Sequence, residues 1–135
     1  MSDAHCVFFP SDGLPFCRKR DMTPAFLDRL LDQIPFALRA QSIEWVGVIC
    51  FTRDQISPLR VIAEGDRKGA EFYPAELFQK IEGEGFILVH NHPSGCLEPS
   101  EVDRQLTLKI RRVCARKGLR FEGHGIITRR GETMI

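Results

Sequence analysis

The sequence predicts an α/β or α+β domain built on one mixed β-sheet flanked by helices. Short apolar runs of strand length alternate along the chain with longer segments whose apolar residues recur at helical spacing. The 135 residues are 43% hydrophobic and 27% charged, which suits one folded domain with a core of its own. Turn residues between the segments indicate where each element begins and ends.

The first forty residues predict an N-terminal extension whose helix packs on the core. Residues 6–9 predict a short strand, and residues 10–13 (Pro-Ser-Asp-Gly) predict the turn that ends it. Thr23 as N-cap and Pro24 at the first helical position predict a helix start, and Pro35 should break that helix before it resumes. The apolar residues at helical spacing are Phe26, Leu27, Leu30, Leu31 and Ile34.

The middle of the chain predicts three strands and one short helix. Residues 44–51 and 59–63 have the apolar content of buried strands. Pro74 opens a short helix that runs to Lys80, and a third apolar run follows at residues 86–89.

A long helix and two further strands complete the predicted domain. Ser100 is the predicted N-cap of a helix that runs to about Lys117, where Gly118 should stop it. Residues 120–128 predict a strand, and a turn at residues 129–132 leads into a last short one. The predicted apolar stripe of the helix contains Val102, Leu106, Ile110 and the pair Val113 and Cys114.

Charge and cysteine content narrow the class of protein. The net charge of +1 argues neither for nor against a polyanionic partner, and no apolar run is long enough to span a bilayer. The N-terminus lacks the pattern of a signal peptide, so we expect a cytoplasmic protein without a membrane partner. Five cysteines without a Cys-x-x-Cys pair fit a reducing compartment, with Cys50 and Cys114 in the core and Cys96 as an inert loop residue.

The most informative stretch of the sequence, residues 89–103, contains residue types that bind zinc. His90 and His92 are two apart at the end of an apolar run, so on a strand both imidazoles face the same side. Asp103 follows in the first turn of the predicted helix, where the helix dipole favours its ionised form. Two histidines and a carboxylate, with one position left for water, are typical of a catalytic zinc site. We therefore predict that His90, His92 and Asp103 hold a zinc ion.

These residues resemble the JAMM motif of the JAB/MPN metalloproteases. The pattern His-x-His-Pro-x-Gly, followed by Pro-Ser-x-x-Asp, is present at residues 90–103, and the run His-Asn-His-Pro-Ser-Gly resembles the RadC-like branch in particular. The resemblance implies a JAB/MPN domain with a cytidine-deaminase-like fold over residues 41–135, after an extension formed by residues 1–40. It also implies one Zn²⁺ per chain, bound by the two histidines and the aspartate, and a glutamate from an upstream strand that holds the water.

Glu44 is the best match for that glutamate, which would act as the general base. The run 44–47 (Glu-Trp-Val-Gly) begins the first strand of the domain and resembles the Glu-x-x-Gly of active JAMM peptidases. A carboxylate beside the water would take its proton and pass it to the leaving amine. Glu64, at the end of the second strand, and Glu71 are competitors for this role, and Glu44 could instead face solvent at its strand start.

Four other residues near the motif have their own interpretations. Ser100 is a predicted N-cap, and the resemblance also implies a hydroxyl near the substrate carbonyl that binds the developing oxyanion, so both roles can hold together. Ser100-x-x-Asp103 is in addition similar to a capping box. Asn91 is expected to make a structural hydrogen bond, and His124 to be a satisfied polar residue rather than a fourth ligand.

The resemblance implies a zinc metallopeptidase or isopeptidase similar to prokaryotic JAB-domain deubiquitinases. Its expected partner is a ubiquitin-like protein or peptide, cleaved at an amide bond of the C-terminal tail. The alternative is a RadC-like protein with a DNA- or phage-related role and no robust peptidase activity. We do not expect a nucleic-acid partner, because the basic residues of the long helix lack interleaved aromatic residues. A non-catalytic MPN scaffold ranks last, because this chain keeps all three metal ligands.

Overall fold

One mixed β-sheet with helices on both faces forms the domain in the computed structural model, which describes residues 6–8, 23–52, 55–65 and 74–135. The strands are β1 (Cys6–Phe8), β2 (Trp45–Phe51), β3 (Leu59–Glu64), β4 (Gly85–Asn91), β5 (Arg120–Thr128) and β6 (Gly131–Met134). The helices are α1 (Pro24–Asp32), α2 (Phe36–Arg39), α3 (Pro74–Gln79) and α4 (Glu101–Lys117).

The strand order of the sheet is β1-β3-β2-β4-β5-β6, with β2 and β4 at its centre. Neighbouring strands are antiparallel except β4 and β5, which are parallel. A parallel pair needs a crossover connection, and α4 supplies it. The prediction of a mixed sheet flanked by helices is therefore confirmed.

Alternate residues of the central strands pack against different helices. Ile87 and Val89 of β4 belong to the same buried cluster as the apolar residues of α1. Phe86 and Leu88 point to the opposite face and pack in a second cluster with Ile110 of α4. The alternation continues to the end of β4. His90 therefore lies on the α4 side of the sheet and Asn91 on the α1 side.

The helix boundaries follow the predicted capping residues. Thr23 Oγ1 accepts a hydrogen bond of 3.1 Å from the Phe26 N–H at the start of α1. Pro35 separates α1 from α2, and Gly118 ends α4 in the left-handed conformation with φ of 70°. Strand β2 begins at Trp45, one residue later than predicted. The predicted turn at residues 10–13 lies outside the described residues.

The predicted apolar stripe of α4 was wrong at one position. Val102 is 76% exposed, whereas Thr107 is buried together with Ile110 and Cys114. The buried face is therefore shifted by one residue at the start of the helix, where Asp103 takes the inward position. The polar residues Asp103 and Thr107 on this face hid the true phase of the stripe.

The sequence predictions about membrane spans and buried cysteines can be compared with the described residues. Within the described part of the chain, no helix combines the length and apolar character that crossing a bilayer requires. Cys50 and Cys114 are free and buried, as predicted, and burial raises the pKa of both thiols. The side chains of Cys6 and Cys17 lie outside the described residues.

A buried arginine ties helices α1 and α2 to the β5–β6 turn. Arg39 is only 8% exposed, and its guanidinium forms an ion pair of 2.9 Å with Glu132. It also donates hydrogen bonds to four backbone carbonyl oxygens. The acceptors are the carbonyl oxygens of Leu31, Ile34, Thr128 and Gly131.

Replacing Arg39 with methionine should destabilise the fold by about 3–5 kcal/mol, because the substitution removes the cation that pairs with Glu132 and one donor from each of four carbonyls. Urea unfolding followed by circular dichroism would measure the change. Arg29→Met, at an exposed position of α1, is the matched control and should stay within about 0.5 kcal/mol of the wild type. Equal stabilities of the two variants would contradict this role of Arg39.

Candidate metal centre

His90 and His92 lie at the end of central strand β4, and their imidazoles face each other. The two Nε2 atoms are 2.8 Å apart. His90 is the penultimate residue of β4 and is 2% exposed. His92 follows the strand and is held to β5 by a hydrogen bond of 3.0 Å from its N–H to the Ile127 carbonyl. The structure thus brings together the two side chains that the alternation of a strand predicts.

The loop after His92 sets the orientation of its ring. The Cys96 carbonyl oxygen lies 2.8 Å from His92 Nδ1, and because a carbonyl can only accept, Nδ1 carries a hydrogen. Neutral His92 therefore presents a lone pair at Nε2. Gly95, with φ of 87°, makes the turn that returns the loop toward the ring. Cys96 itself is exposed, so its carbonyl serves the site while its thiol faces solvent.

Arg129 fixes this loop to the β5–β6 turn. Its guanidinium donates to the Pro93 carbonyl at 3.0 Å and to the Ser94 carbonyl at 3.5 Å. A side chain at Gly95 would approach within 3.0 Å of the Arg129 guanidinium, so the loop and the arginine are in close contact. The first residues of the loop, His92 to Ser94, are thereby held to the sheet.

Asp103, in the first turn of α4, contacts both histidines. Its Oδ2 atom lies 3.1 Å from His92 Nε2, and its Oδ1 atom lies 3.4 Å from His90 Nε2. Burial opposes the charge of Asp103, but the imidazoles of His90 and His92 outweigh it, because each donates to the carboxylate when it carries a proton at Nε2, and together they hold the pKa of Asp103 below its usual range. The hydrogen bond with Asp103 in turn raises the pKa of His92.

Ser100 and Asp103 form the predicted capping box. Ser100 Oγ accepts from the Asp103 N–H at 3.0 Å, and Asp103 Oδ2 accepts from the Ser100 N–H at 3.0 Å. The Asp103 carboxylate both caps the helix and contacts the two histidines. The interpretations of Asp103 as a capping residue and as a metal ligand are therefore compatible. The N-cap role of Ser100 is confirmed, and its role toward an oxyanion stays a prediction.

Glu44 immediately precedes β2 and reaches the same pair of histidines. Its Oε1 atom lies 3.9 Å from His90 Nε2, and its side chain is 19% exposed. Val46 pairs with His90 in the antiparallel register, which places Glu44, two residues earlier, on the same face. Among the described residues, Glu44, His90 and His92 form a group whose ligand atoms all lie within 4.8 Å of one another and could hold a metal ion.

Of the two competitors of Glu44, the structure describes Glu64, which is not in this group. Glu64 pairs with Trp45 at the end of β3 and is exposed. Glu71 lies outside the described residues. Of the two described glutamates among these candidates, Glu44 is the one that the structure places at the histidines.

Asn91, between the two histidines, holds the backbone on both sides of Glu44. Its Oδ1 atom accepts a hydrogen bond of 2.7 Å from the Trp45 N–H. Its Nδ2 atom donates to the carbonyls of Ile43 at 3.1 Å and Gln41 at 3.3 Å. Asn91 is fully buried, so the expected structural hydrogen bond is confirmed, and it holds the segment that carries the candidate base.

The ligand atoms fit a small cation with nitrogen and oxygen ligands. In the neutral ring, His92 Nε2 carries a lone pair. This atom lies 2.8 Å from His90 Nε2 and 3.1 Å from Oδ2 of Asp103. Such an arrangement is repulsive unless a cation, a proton or a metal ion, lies between the atoms. Bonds of about 2.0–2.1 Å in a tetrahedral zinc site separate ligand atoms by roughly 3.3 Å. The distances of 2.8 to 3.4 Å among His90, His92 and Asp103 are close to that separation.

Two residues lie behind His90: His124, which is a satisfied polar residue as predicted, and Thr107, and the sequence did not indicate that either one contacts the site. His124 on β5 is 1% exposed, and its Nε2 atom lies 2.7 Å from His90 Nδ1. Thr107 on α4 contacts the other ring nitrogen of His124 at 2.8 Å. Burial lowers the pKa of His124 to about 3. The available signal was a threonine at helical spacing with Ile110 and Cys114, on a helix face that should be apolar.

A family comparison agrees with this geometry. A family model described as a RadC-like JAB domain matches residues 28–134, more than half of the 135-residue chain. The match begins inside α1, so it includes part of the segment predicted as an extension, and the boundary at residue 40 stays a prediction. The matched residues contain Glu44, His90, His92 and Asp103. The chain therefore belongs to the RadC-like JAB domain family.

Proposed function

We propose that this chain is a zinc metallopeptidase or isopeptidase, with one zinc per chain, that hydrolyses an amide bond at the C-terminal tail of a ubiquitin-like protein or its conjugate. The observation that carries this proposal is the convergence of two imidazole nitrogens and two carboxylates. Each contact distance from His90 Nε2 to the other three side chains lies between 2.8 and 3.9 Å.

The distances divide the two carboxylates between two roles. Asp103 lies at 3.1 and 3.4 Å from the histidine nitrogens, close to the spacing of ligands around one zinc ion. Glu44 lies at 3.9 Å from His90 Nε2, which is longer than that spacing. We therefore assign His90, His92 and Asp103 as the residues that would hold zinc. Glu44 is assigned as the group that accepts a proton from a water in the remaining space.

Each residue contributes a defined step of the hydrolysis. Zinc, when bound, supplies a Lewis acid that lowers the pKa of a water to about 7. Glu44 would accept one proton of a water as the water oxygen bonds to the substrate carbonyl carbon, and it would deliver that proton to the amide nitrogen as the C–N bond breaks, which leaves a carboxylic acid and a free amine. Asn91 keeps the Glu44 backbone in place during both transfers, through its three hydrogen bonds to residues 41–45. Ser100, at the adjoining helix N-terminus, is the candidate donor to the carbonyl oxygen of the substrate.

Exposed apolar side chains next to the two carboxylates support a peptide substrate. Ile43 precedes Glu44 and is 46% exposed, and Val102 precedes Asp103 and is 76% exposed. A contiguous apolar patch would indicate a surface that a partner covers, and these two side chains are its candidate members. The proposed choice of a ubiquitin-like tail rests on the resemblance to JAMM peptidases.

We propose that the basic residues of α4 serve the domain itself rather than a nucleic acid. The Arg111 guanidinium lies 5.0 Å from the centre of the Phe121 ring, and the Lys117 ammonium lies 5.4 Å from that of Phe78. These two cations therefore contact the domain's own aromatic rings. The exposed basic residues of α4 and of the first position of β5 are Arg104, Lys109, Arg111, Arg112, Arg116, Lys117 and Arg120.

Metal analysis and hydrolysis of synthetic peptides test the proposal together. The purified chain should contain about one zinc ion, and it should release aminomethylcoumarin from peptides that end in Gly-Gly linked to this fluorophore. A chelator should abolish the release, and added zinc should restore it. Failure to take up zinc on reconstitution would refute the metal site. Full zinc occupancy without hydrolysis of any Gly-Gly amide would refute the peptidase assignment alone.

The apparent affinity for zinc should fall as the pH falls through the pKa of His92. That pKa is raised above 6.5 by the hydrogen bond with Asp103, so below it a proton occupies the nitrogen that zinc must take. For one displaced proton the loss approaches about tenfold in affinity per pH unit. Asp103 stays ionised throughout, because its own pKa is lowered. Competition with a chromophoric chelator would measure the trend, and a flat profile from about pH 6 to about pH 8 would contradict it.

A further inference from the structure

A chain of buried hydrogen bonds runs behind His90 and returns to the backbone of Asp103. The Thr107 hydroxyl donates to the Asp103 carbonyl at 2.8 Å. The same hydroxyl lies 2.8 Å from His124 Nδ1, and His124 Nε2 lies 2.7 Å from His90 Nδ1. All three side chains are buried, with exposed fractions of 4% for Thr107, 1% for His124 and 2% for His90.

The direction of every hydrogen bond in this chain follows from its first acceptor. A carbonyl oxygen only accepts, so the one hydrogen of the Thr107 hydroxyl is spent on Asp103. The hydroxyl oxygen must then accept from His124 Nδ1, and a neutral His124 has no hydrogen left at Nε2. His124 Nε2 therefore accepts from Nδ1–H of His90, which leaves the lone pair of His90 at Nε2.

Burial keeps His124 from reversing this direction. A second proton would make His124 a cation at 1% exposure, and its two ring nitrogens face only Thr107 and His90. Neither neighbour is an anion that could balance the charge, and an unpaired buried charge is costly. The neutral form with hydrogen at Nδ1 is the one that satisfies both contacts.

We propose that Thr107 and His124 are positioning residues that impose the Nδ1–H tautomer on His90 and so direct its Nε2 lone pair at the point shared by His92 and Asp103. The inference rests on the proposed zinc function, because only a lone pair at Nε2 can bind the ion beside these two ligands. His92 reaches the same tautomer by a direct hydrogen bond to the Cys96 carbonyl. His90, inside the sheet, reaches it through two intervening side chains.

The fold places the three side chains of this chain on one side of the sheet. Thr107 is one helical turn after Asp103 in α4, so its hydroxyl lies against the Asp103 carbonyl. His124 pairs with Leu88 in the parallel register of β4 and β5, which sets it beside His90. The orientation of one ligand is thereby coupled to the backbone that carries another, an arrangement that typically changes metal affinity about 10–100-fold when it is lost.

Replacing Thr107 with valine tests this inference, because it keeps the shape of the side chain and removes the hydroxyl. We expect the Kd for zinc to rise about 10–100-fold in Thr107→Val and to recover in Thr107→Ser. Thr128→Val is the matched control, since Thr128 is also fully buried but its hydroxyl accepts from the Arg130 N–H. This control should bind zinc like the wild type.

Long-range ¹H–¹⁵N correlation spectra of the histidine rings provide a readout that stability alone would not change. The wild-type chain, zinc-free and zinc-loaded, should show His90 with hydrogen at Nδ1, and zinc-free Thr107→Val should show a mixture of tautomers. Hydrogen at Nε2 and none at Nδ1 of His90 in the zinc-free wild type, or an unchanged tautomer and Kd in Thr107→Val, would overturn the inference. A wild type with the expected tautomer that takes up no zinc would instead refute the proposed function.

Discussion

Glu44→Gln is expected to keep zinc bound while hydrolysis slows about 10²–10⁴-fold, the typical contribution of a general base. The amide has the size and shape of the carboxylate but cannot accept the proton of the water. The hydrogen bonds that hold this segment come from Asn91 to the backbone of its neighbours, so they do not depend on the replaced side chain. We therefore expect zinc content and unfolding midpoint to stay near those of the wild type.

The measurement is turnover of the Gly-Gly aminomethylcoumarin peptides beside zinc content in the same preparation. Glu64→Gln is the matched control, because Glu64 is an exposed glutamate at the end of the neighbouring strand β3. The control should turn over at the wild-type rate. Loss of turnover in Glu64→Gln with full turnover in Glu44→Gln would move the general base to Glu64.

The double variant His90→Ala/His92→Ala is expected to lose zinc entirely at micromolar metal. It removes two of the three proposed ligands, so the loss should far exceed the roughly 10–100-fold that follows removal of a partner of a ligand. Because zinc binds the folded state, the wild type should gain about 4 kcal/mol of stability at a zinc concentration 1,000 times the Kd. The double variant should gain none.

Thermal unfolding with and without zinc, together with metal analysis, would show this difference. Val89→Ala is the control, since Val89 is a buried residue of the same strand that faces away from the site. It should lower stability in both states and keep the increment that zinc causes. A zinc-dependent increment in the double variant would show that the metal binds elsewhere.

The fold and the histidine pair could be predicted because they depend on local patterns. Strand alternation brings His90 and His92 to one side, and the capping sequence at Ser100 places Asp103 in the first turn of α4. These relations involve residues close in sequence, so period and capping chemistry are sufficient to predict them. Glu44 required the resemblance as well, because its approach to His90 depends on how β2 pairs with β4.

The partners of the ligands could not be predicted, because they depend on register between distant segments. His124 reaches His90 through the parallel pairing of β4 and β5, and Thr107 reaches His124 across the helix–sheet contact. No local pattern fixes either relation. The buried face of α4 was predicted wrongly at its start for a related reason. The polar residues Asp103 and Thr107 occupy inward positions at which an amphipathic helix normally has apolar residues.

Asn91 is a similar case. The sequence correctly predicted that it makes a structural hydrogen bond, but it did not predict which backbone groups are its partners. The side chain crosses to the segment before β2, and the sequence separation is 46 residues to Trp45. Arg39 is the extreme case, with contacts that join residue 39 to Gly131. Sequence patterns indicate which side chains are polar, whereas the folded sheet determines which distant backbone groups they meet.

The placement of α4 as the crossover between β4 and β5 has a consequence for the order of assembly during folding. All three proposed ligands, with Thr107 and His124, lie within residues 85–128, one continuous β-α-β unit, whereas Glu44 enters with β2. We expect this unit to be able to bind the ion before β2 docks. A partly folded chain would then hold metal but would be inactive until β2 docks and brings Glu44 to the site. Pulse-labelling hydrogen exchange with zinc present would reveal protection in β4 and β5 ahead of β2, and simultaneous protection would contradict it. If hydrolysis requires Glu44 as proposed, we expect a chain in which β2 has not yet docked to be unable to hydrolyse amide bonds.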